Sequence, residues 1–188
     1  MESNLEDIFW IEQILNGKTE RFALLVNKYK DKVFSLARGI LKNKEEAEDV
    51  AQEIFVKVFK ALPKFKHKAK FSTWVYRIAY NECISHLRKQ KISTVSVDHV
   101  SQNYMDTERN NTGNWQEAEF KSKMLHRALN HLPETDRGLV HFFYFDNLSV
   151  NEIAQITGLS VSNVKTKMFR IRKKLYEELQ ILTGKEMV

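Results

Sequence analysis

The stretch "VSNVKTKMFRIRKKL" (residues 161–175) gathers two hydroxyls, an amide, an aromatic ring and six cations, with no acid among them. The chemistry this suits is recognition rather than bond-making. Ser162, Asn163 and Thr166 are short enough to approach base edges. Arg170 can reach guanine O6 and N7 or a phosphate, and Phe169 can touch a thymine methyl. Helical spacing predicts an inward stripe of Val161, Val164, Met168, Ile171 and Leu175. Ser162, Thr166, Phe169, Arg170 and Lys173 then face outward, flanked by Asn163 and Lys165. A solvated basic face on a terminal helix is the plainer alternative.

A second cluster lies upstream. Trp74, Arg77, Asn81, Ser85 and Arg88 recur at helical spacing and follow a loop carrying Lys64, Lys66, Lys68 and Lys70. Aromatics and cations on one stripe suit single-stranded nucleic acid, whose bases stack while the charge follows the backbone. A core tryptophan with surface arginines is the alternative. A third set, Asp49, Gln52 and Glu53, points away from the apolar stripe Ala47, Val50, Ile54, Val58 and Leu62. It reads either as a contact for a basic partner or as surface acids, with Glu53–Lys57 a local pair.

The elements that hold these groups read as helices throughout. Only six Gly and two Pro interrupt 188 residues. Residues 5–41 form two helices broken near Asn16 to Thr19. Asn43 caps a third, with Glu46 completing the cap, and Pro63 ends it. A helix over about residues 71–90 follows the lysine loop. Residues 92–116 are polar, lack apolar periodicity and read as a flexible linker. Fully extended, some 25 residues reach about 85 Å, more than two turns of duplex at about 34 Å each. Beyond it, "NWQEAEFKSKMLHRALNHL" is one helix, and "PETDRGLVHFFYF" the next, with Pro133 in its first turn and Glu134 and Asp136 at its positive end. In "LSVNEIAQITGLS", Ser149 and Glu152 make a capping box, Ala154 is small where helices cross, and Gly158 takes the turn. Together with Val164 this is helix-turn-helix spacing. The fold expected is all-α: two small helical domains, 1–91 and 117–188, joined by linker 92–116.

Thirty Lys and Arg against 24 Asp and Glu give +6, which favours polyanionic partners. The distribution is more telling. Residues 60–91 hold nine Lys and Arg and one acid, Glu82. The single cysteine, Cys83, rules out an internal disulfide and reads as core. No apolar run nears the roughly 18 residues of a membrane span, the acidic start shows no signal peptide, and a cytoplasmic location is expected. No phosphate-binding loop, nucleophile motif or metal-ligand spacing is visible, so neither cofactor, metal nor small-molecule substrate is expected.

"AEDVAQEIFVKVF" (47–59), "FSTWVYRIAYN" (71–81) and "LSVNEIAQITGLSVSNVKTKMFRIRKKL" (148–175), in this order, resemble the extracytoplasmic-function branch of the sigma-70 family. The resemblance covers nearly the whole chain. It implies an RNA polymerase specificity subunit with no catalytic centre. Asp49, Gln52 and Glu53 would contact the beta-prime clamp helices of core polymerase, and the C-terminal part would meet the beta flap. Phe65, Lys66, Lys68, Lys70, Trp74, Arg77, Asn81 and Arg88 would capture the −10 element as a melted strand, with Phe65 and Asn81 at a flipped base. Ser162, Asn163, Lys165, Thr166, Phe169, Arg170 and Lys173 would read the −35 element as duplex. The family also commonly uses an anti-sigma factor, often membrane-anchored. A dimeric helix-turn-helix regulator and a nucleic-acid enzyme are the alternatives; the first 90 residues lack the α/β receiver pattern that would favour the former.

Overall fold

The computed structural model describes residues 2–93 and 115–185, with side chains over 4–90, 92 and 123–181. Apart from its ends, the linker segment lies outside the described residues.

All regular elements among the described residues are helical. α1 (Glu2–Leu15) and α2 (Phe22–Leu41) are separated by the break expected at Asn16 to Thr19, where Gly17 takes φ 95°. A 3-10 turn, Thr19–Arg21, leads into α2. α3 spans Lys44–Ala61, and the Asn43 carboxamide oxygen accepts from the amides of Glu45 and Glu46. That cap is worth about 1 kcal/mol. The predicted stripe Ala47, Val50, Ile54, Val58 and Leu62 is buried throughout. Pro63 sits in a 3-10 turn, Leu62–Lys64, where its missing N–H costs nothing. α4 runs Phe71–Ser93. Asp7, buried midway along α1, accepts from Tyr29 Oη at 2.6 Å and from Lys28 Nζ at 2.6 Å, tying α1 to α2.

The second half holds α5 (Trp115–Asn130), α6 (Glu134–Val140), α7 (Val150–Thr157) and α8 (Val161–Lys185). Two readings change here. Pro133 is the N-cap residue, in extended backbone (ψ 150°), one position before the helix it was expected to open. The stretch 134–145 is not one α-helix: after Val140 it widens into a π turn, His141–Phe145. The Asp146 amide reaches His141 O and the Leu148 amide reaches Phe142 O. The wider turn lets Phe142 point fully inward, against Tyr76 at 5.6 Å and Tyr80 at 5.9 Å.

The two halves pack on each other. α6 lies against α2, and α7 against α4. One apolar core runs from Ile11 and Leu36 in the first half to Phe142, Ile153 and Ile171 in the second. No helix among the described residues is long and apolar enough to cross a membrane.

Candidate nucleic-acid interface

α7 and α8 build a helix-turn-helix. Ser149 Oγ accepts the Glu152 amide, and the Glu152 carboxylate accepts the Ser149 amide at 3.0 Å, so the capping box is closed. Gly158 ends α7 at φ 74°, a conformation that costs a side-chain-bearing residue strain. Ala154, Val164, Met168 and Ile171 are buried at the crossing, and Leu175 is partly so. Val161 departs from the predicted stripe: it is 39% exposed, while Val164, one turn on, is fully buried.

The outer face of α8 is open. Ser162, Asn163, Lys165, Thr166, Arg170 and Lys173 are exposed, and Phe169 is 68% exposed. Of these, Lys173 pairs with Glu177 one turn on, at 3.7 Å. Other cations of the same run serve packing. Lys167 reaches back to Asp136 of α6 at 3.0 Å, and Arg172 donates to Tyr144 Oη and covers the Phe143 ring. The basic run thus divides into an outward reading face and a brace beneath it.

The lysine loop turns at His67, at φ 54°. Lys64, Lys66 and Lys68 are exposed; Lys70 is held by Glu152 of α7 at 2.8 Å. That bond, with the Ser149 contacts, keeps the Glu152 carboxyl below its ordinary range. Phe65 is not an open stacking platform in this conformation. It is 9% exposed, its ring set among His67 (4.6 Å), Trp74 (5.2 Å) and Phe71 (5.4 Å). Trp74 is half-buried on the rim of this cluster, and Arg77 and Asn81 stand exposed beyond it on α4. Arg88 lines a cleft of about 210 Å³ with Ile84, Leu87, Glu134 and Thr135, between α4 and α6.

On α3, Asp49, Gln52 and Glu53 are exposed, and their side chains hold no hydrogen bond or ion pair among the described residues. The Glu53–Lys57 pair of the surface-acid alternative does not form; Lys57 reaches across to Glu82 of α4. Val56, one turn further on the same face, is 52% exposed, an apolar element of this surface that the charge pattern did not reveal. No group of three or more His, Cys, Asp or Glu able to hold a metal occurs among the described residues.

A helix-turn-helix with an open, polar and basic second helix, beside a lysine loop feeding an aromatic-cationic helix, defines a DNA-reading protein. Comparison narrows the class. Residues 25–92 match sigma-70 region 2 and residues 122–175 match sigma-70 region 4. The chain is 34% identical over 185 residues to the ECF RNA polymerase sigma factor SigW of Bacillus subtilis, covering 92% of this chain and 96% of the relative. It is 30% identical to the ECF sigma-E factor of Escherichia coli K12, covering 97% and 98%. In fold it is similar to the sigma factor RpoE of Bartonella quintana, solved in complex with the anti-sigma factor NepR, with TM-score 0.70, 20% identity and coverage of 85% and 97%. The chain belongs to the extracytoplasmic-function sigma factors of the sigma-70 family. It is a polymerase specificity subunit, not an enzyme, and directs promoter-specific initiation through regions 2 and 4.

Proposed function

We propose a division of labour within that activity. Residues 1–91 bind core polymerase and capture the −10 element as a single strand, and residues 117–188 read the −35 element as duplex, with 92–116 as the connection. The observation that carries the reading is the outer face of α8: its polar and basic residues are exposed while the stripe beneath is packed. Ser162, Asn163 and Thr166 lie at the helix N-terminal end, the part that enters a major groove. Lys165, Phe169, Arg170 and Lys173 continue the contact.

In the first half, Lys64, Lys66, Lys68 and Lys70 hold phosphates, a salt-sensitive contribution blind to sequence. Trp74, Arg77, Asn81 and Arg88 meet the unpaired strand, and Phe65 backs Trp74 until the aromatic cluster parts. Asp49, Gln52 and Glu53 meet the beta-prime clamp helices; their open, unpaired charge supports this. Region 4 meets the beta flap. Control falls to an anti-sigma factor, as the NepR complex of the Bartonella relative supports, in this family commonly membrane-anchored. The working location is the cytoplasm, where polymerase and promoters are.

The test separates the two contacts. Arg170→Ala should lower −35-dependent initiation with core affinity unchanged. Asp49→Ala with Glu53→Ala should weaken core binding and leave binding of −35 duplex by the isolated factor as it was. Equal loss of core binding in both variants contradicts the assignment.

A further inference from the structure

We propose that α1 is a positioning element for −10 recognition, a role that rests on the −10 assignment of this half: Asn4 and Asp7 hold the first turn of α4 and its aromatic cluster in the arrangement that receives an unpaired strand.

α1 carries none of the DNA or polymerase contacts proposed above, yet two of its polar side chains serve the reading end of another helix. Phe71 opens α4, and its backbone N–H is one of the amides a helix leaves without an intrahelical partner. Lys70 stands just before it, and its carbonyl accepts the first bond of the helix from the Trp74 amide at 3.1 Å. The Lys70 side chain is a donor only and can satisfy none of the free amides. The Asn4 carboxamide oxygen does so instead, accepting the Phe71 amide at 3.3 Å. Asn4 thus caps α4 from a helix 67 residues upstream.

The second tie runs through rings. Asp7 is 2% exposed, and both its carboxylate oxygens are engaged: Oδ1 accepts from Lys28 Nζ and Oδ2 from Tyr29 Oη, each at 2.6 Å. Burial, reinforced by the Asp7 bond, pushes the Tyr29 hydroxyl far above its ordinary range, so it stays a donor. The Tyr29 ring meets the Phe71 ring edge-on at 5.7 Å, and Phe71 meets Phe65 at 5.4 Å and Trp74 at 5.6 Å. A buried carboxylate is a costly way to join two helices when apolar side chains would serve. What it adds is direction: the bond to Asp7 fixes the tilt of the Tyr29 ring, and so the seat of Phe71. Phe71 is therefore held twice from α1, at its amide and at its ring. The lysine loop ends where this hold begins, and Trp74, Arg77 and Asn81 follow on α4. With the first turn frayed, Trp74 and the loop would sample several arrangements, and ordering them would weaken strand binding.

The test uses the full chain. In hydrogen exchange of the factor alone, Asn4→Ala should speed exchange over residues 65–76 and leave the peptides of α8 as in wild type. Tyr29→Phe, which keeps the ring and loses the bond to Asp7, should speed exchange over the same residues. Asn4→Asp, whose carboxylate can accept the same amide and suits a helix N-terminus, should match wild type. With core polymerase added, a start site mapped with the wild-type protein is transcribed beside the same template carrying one substituted −10 base pair, the one wild type tolerates least. A smaller folded fraction lowers both transcripts alike, whereas a misplaced aromatic cluster lowers the ratio of matched to substituted. Asn4→Ala should cut that ratio about fivefold, the equilibrium equivalent of one lost cap. Tyr29→Phe should move it the same way, and Asn4→Asp should keep it. Unchanged exchange in Asn4→Ala overturns the tie between α1 and α4. Faster exchange with an unchanged ratio, or faster exchange that reaches α8 equally, overturns the positioning role. A defect that Asn4→Asp shares with Asn4→Ala overturns the cap as its cause. Trp74→Ala checks the −10 assignment itself: if it leaves the ratio intact, that assignment fails and the positioning role with it. If Trp74→Ala collapses the ratio and Asn4→Ala does not, only the role of α1 fails.

Discussion

Phe169 illustrates what a single residue can disclose. An aromatic ring set outward on a basic helix is costly in water, and its position among Thr166, Arg170 and Lys173 marks that face in the sequence itself. Asp49, Gln52 and Glu53 were legible for the same reason: each sits opposite an apolar stripe whose period is fixed by the helix. Arg137 and Tyr76 were not legible, because their partners are distant in sequence. Arg137 finds its acceptors 97 and 98 residues upstream, and Tyr76 finds Asp146 70 residues on. Two predictions belong here. Burial pushes the Cys83 thiol up to about 12, so Ellman's reagent at pH 8 should leave it untouched in the folded protein and react at once in denaturant. Burial also holds the His141 imidazole below its ordinary 6.5, outweighing the nearby Asp146 carboxylate. The unfolded chain therefore takes up that proton first as pH falls. The stability His141 contributes is present above about pH 6.5 and is lost below it. Urea unfolding at pH 7.5 and 5.5 should show a smaller loss for His141→Gln than for wild type; equal losses would assign the pH dependence to other groups.

The helices followed their local signals closely. Asn43 and Ser149 cap where their side chains can reach the free amides, Gly17 and Gly158 break where positive φ is needed, and the α3 and α8 stripes bury nearly as patterned. Where the pattern failed, tertiary contact overrode it. The π turn at His141–Phe145 exists to aim Phe142 at another half of the molecule. Gly138 was the one available signal, since an isolated glycine inside a helical pattern usually has a packing reason. At this scale Ser149→Ala should cost about 1 kcal/mol through the lost cap, and Gly158→Ala about 1 kcal/mol or more through the left-handed backbone. Both should appear as lowered thermal midpoints, and both should weaken duplex binding only in proportion to the unfolded fraction. A Gly158→Ala variant as stable as wild type would mean the turn relaxes to another geometry.

For the whole molecule, charge and order of elements carried most of the function, and domain packing carried what sequence could not. Two basic segments separated by a polar stretch implied two DNA contacts on one duplex. A tether alone predicts that an isolated factor should read promoters poorly. The two halves also engage each other directly, through Arg137, Tyr76 and Lys70. A sequence cannot show this, since each of those residues is unremarkable within its own helix. Under the proposed division of labour, this chain selects promoters through paired elements read by its two halves. Run-off transcription on sheared genomic DNA from its own organism, with and without the protein added to core polymerase, tests it most directly once RNA 5′ ends are mapped. New start sites should appear that share two upstream elements about 25 base pairs apart. No new starts, from a core that still responds to another sigma factor, would contradict it.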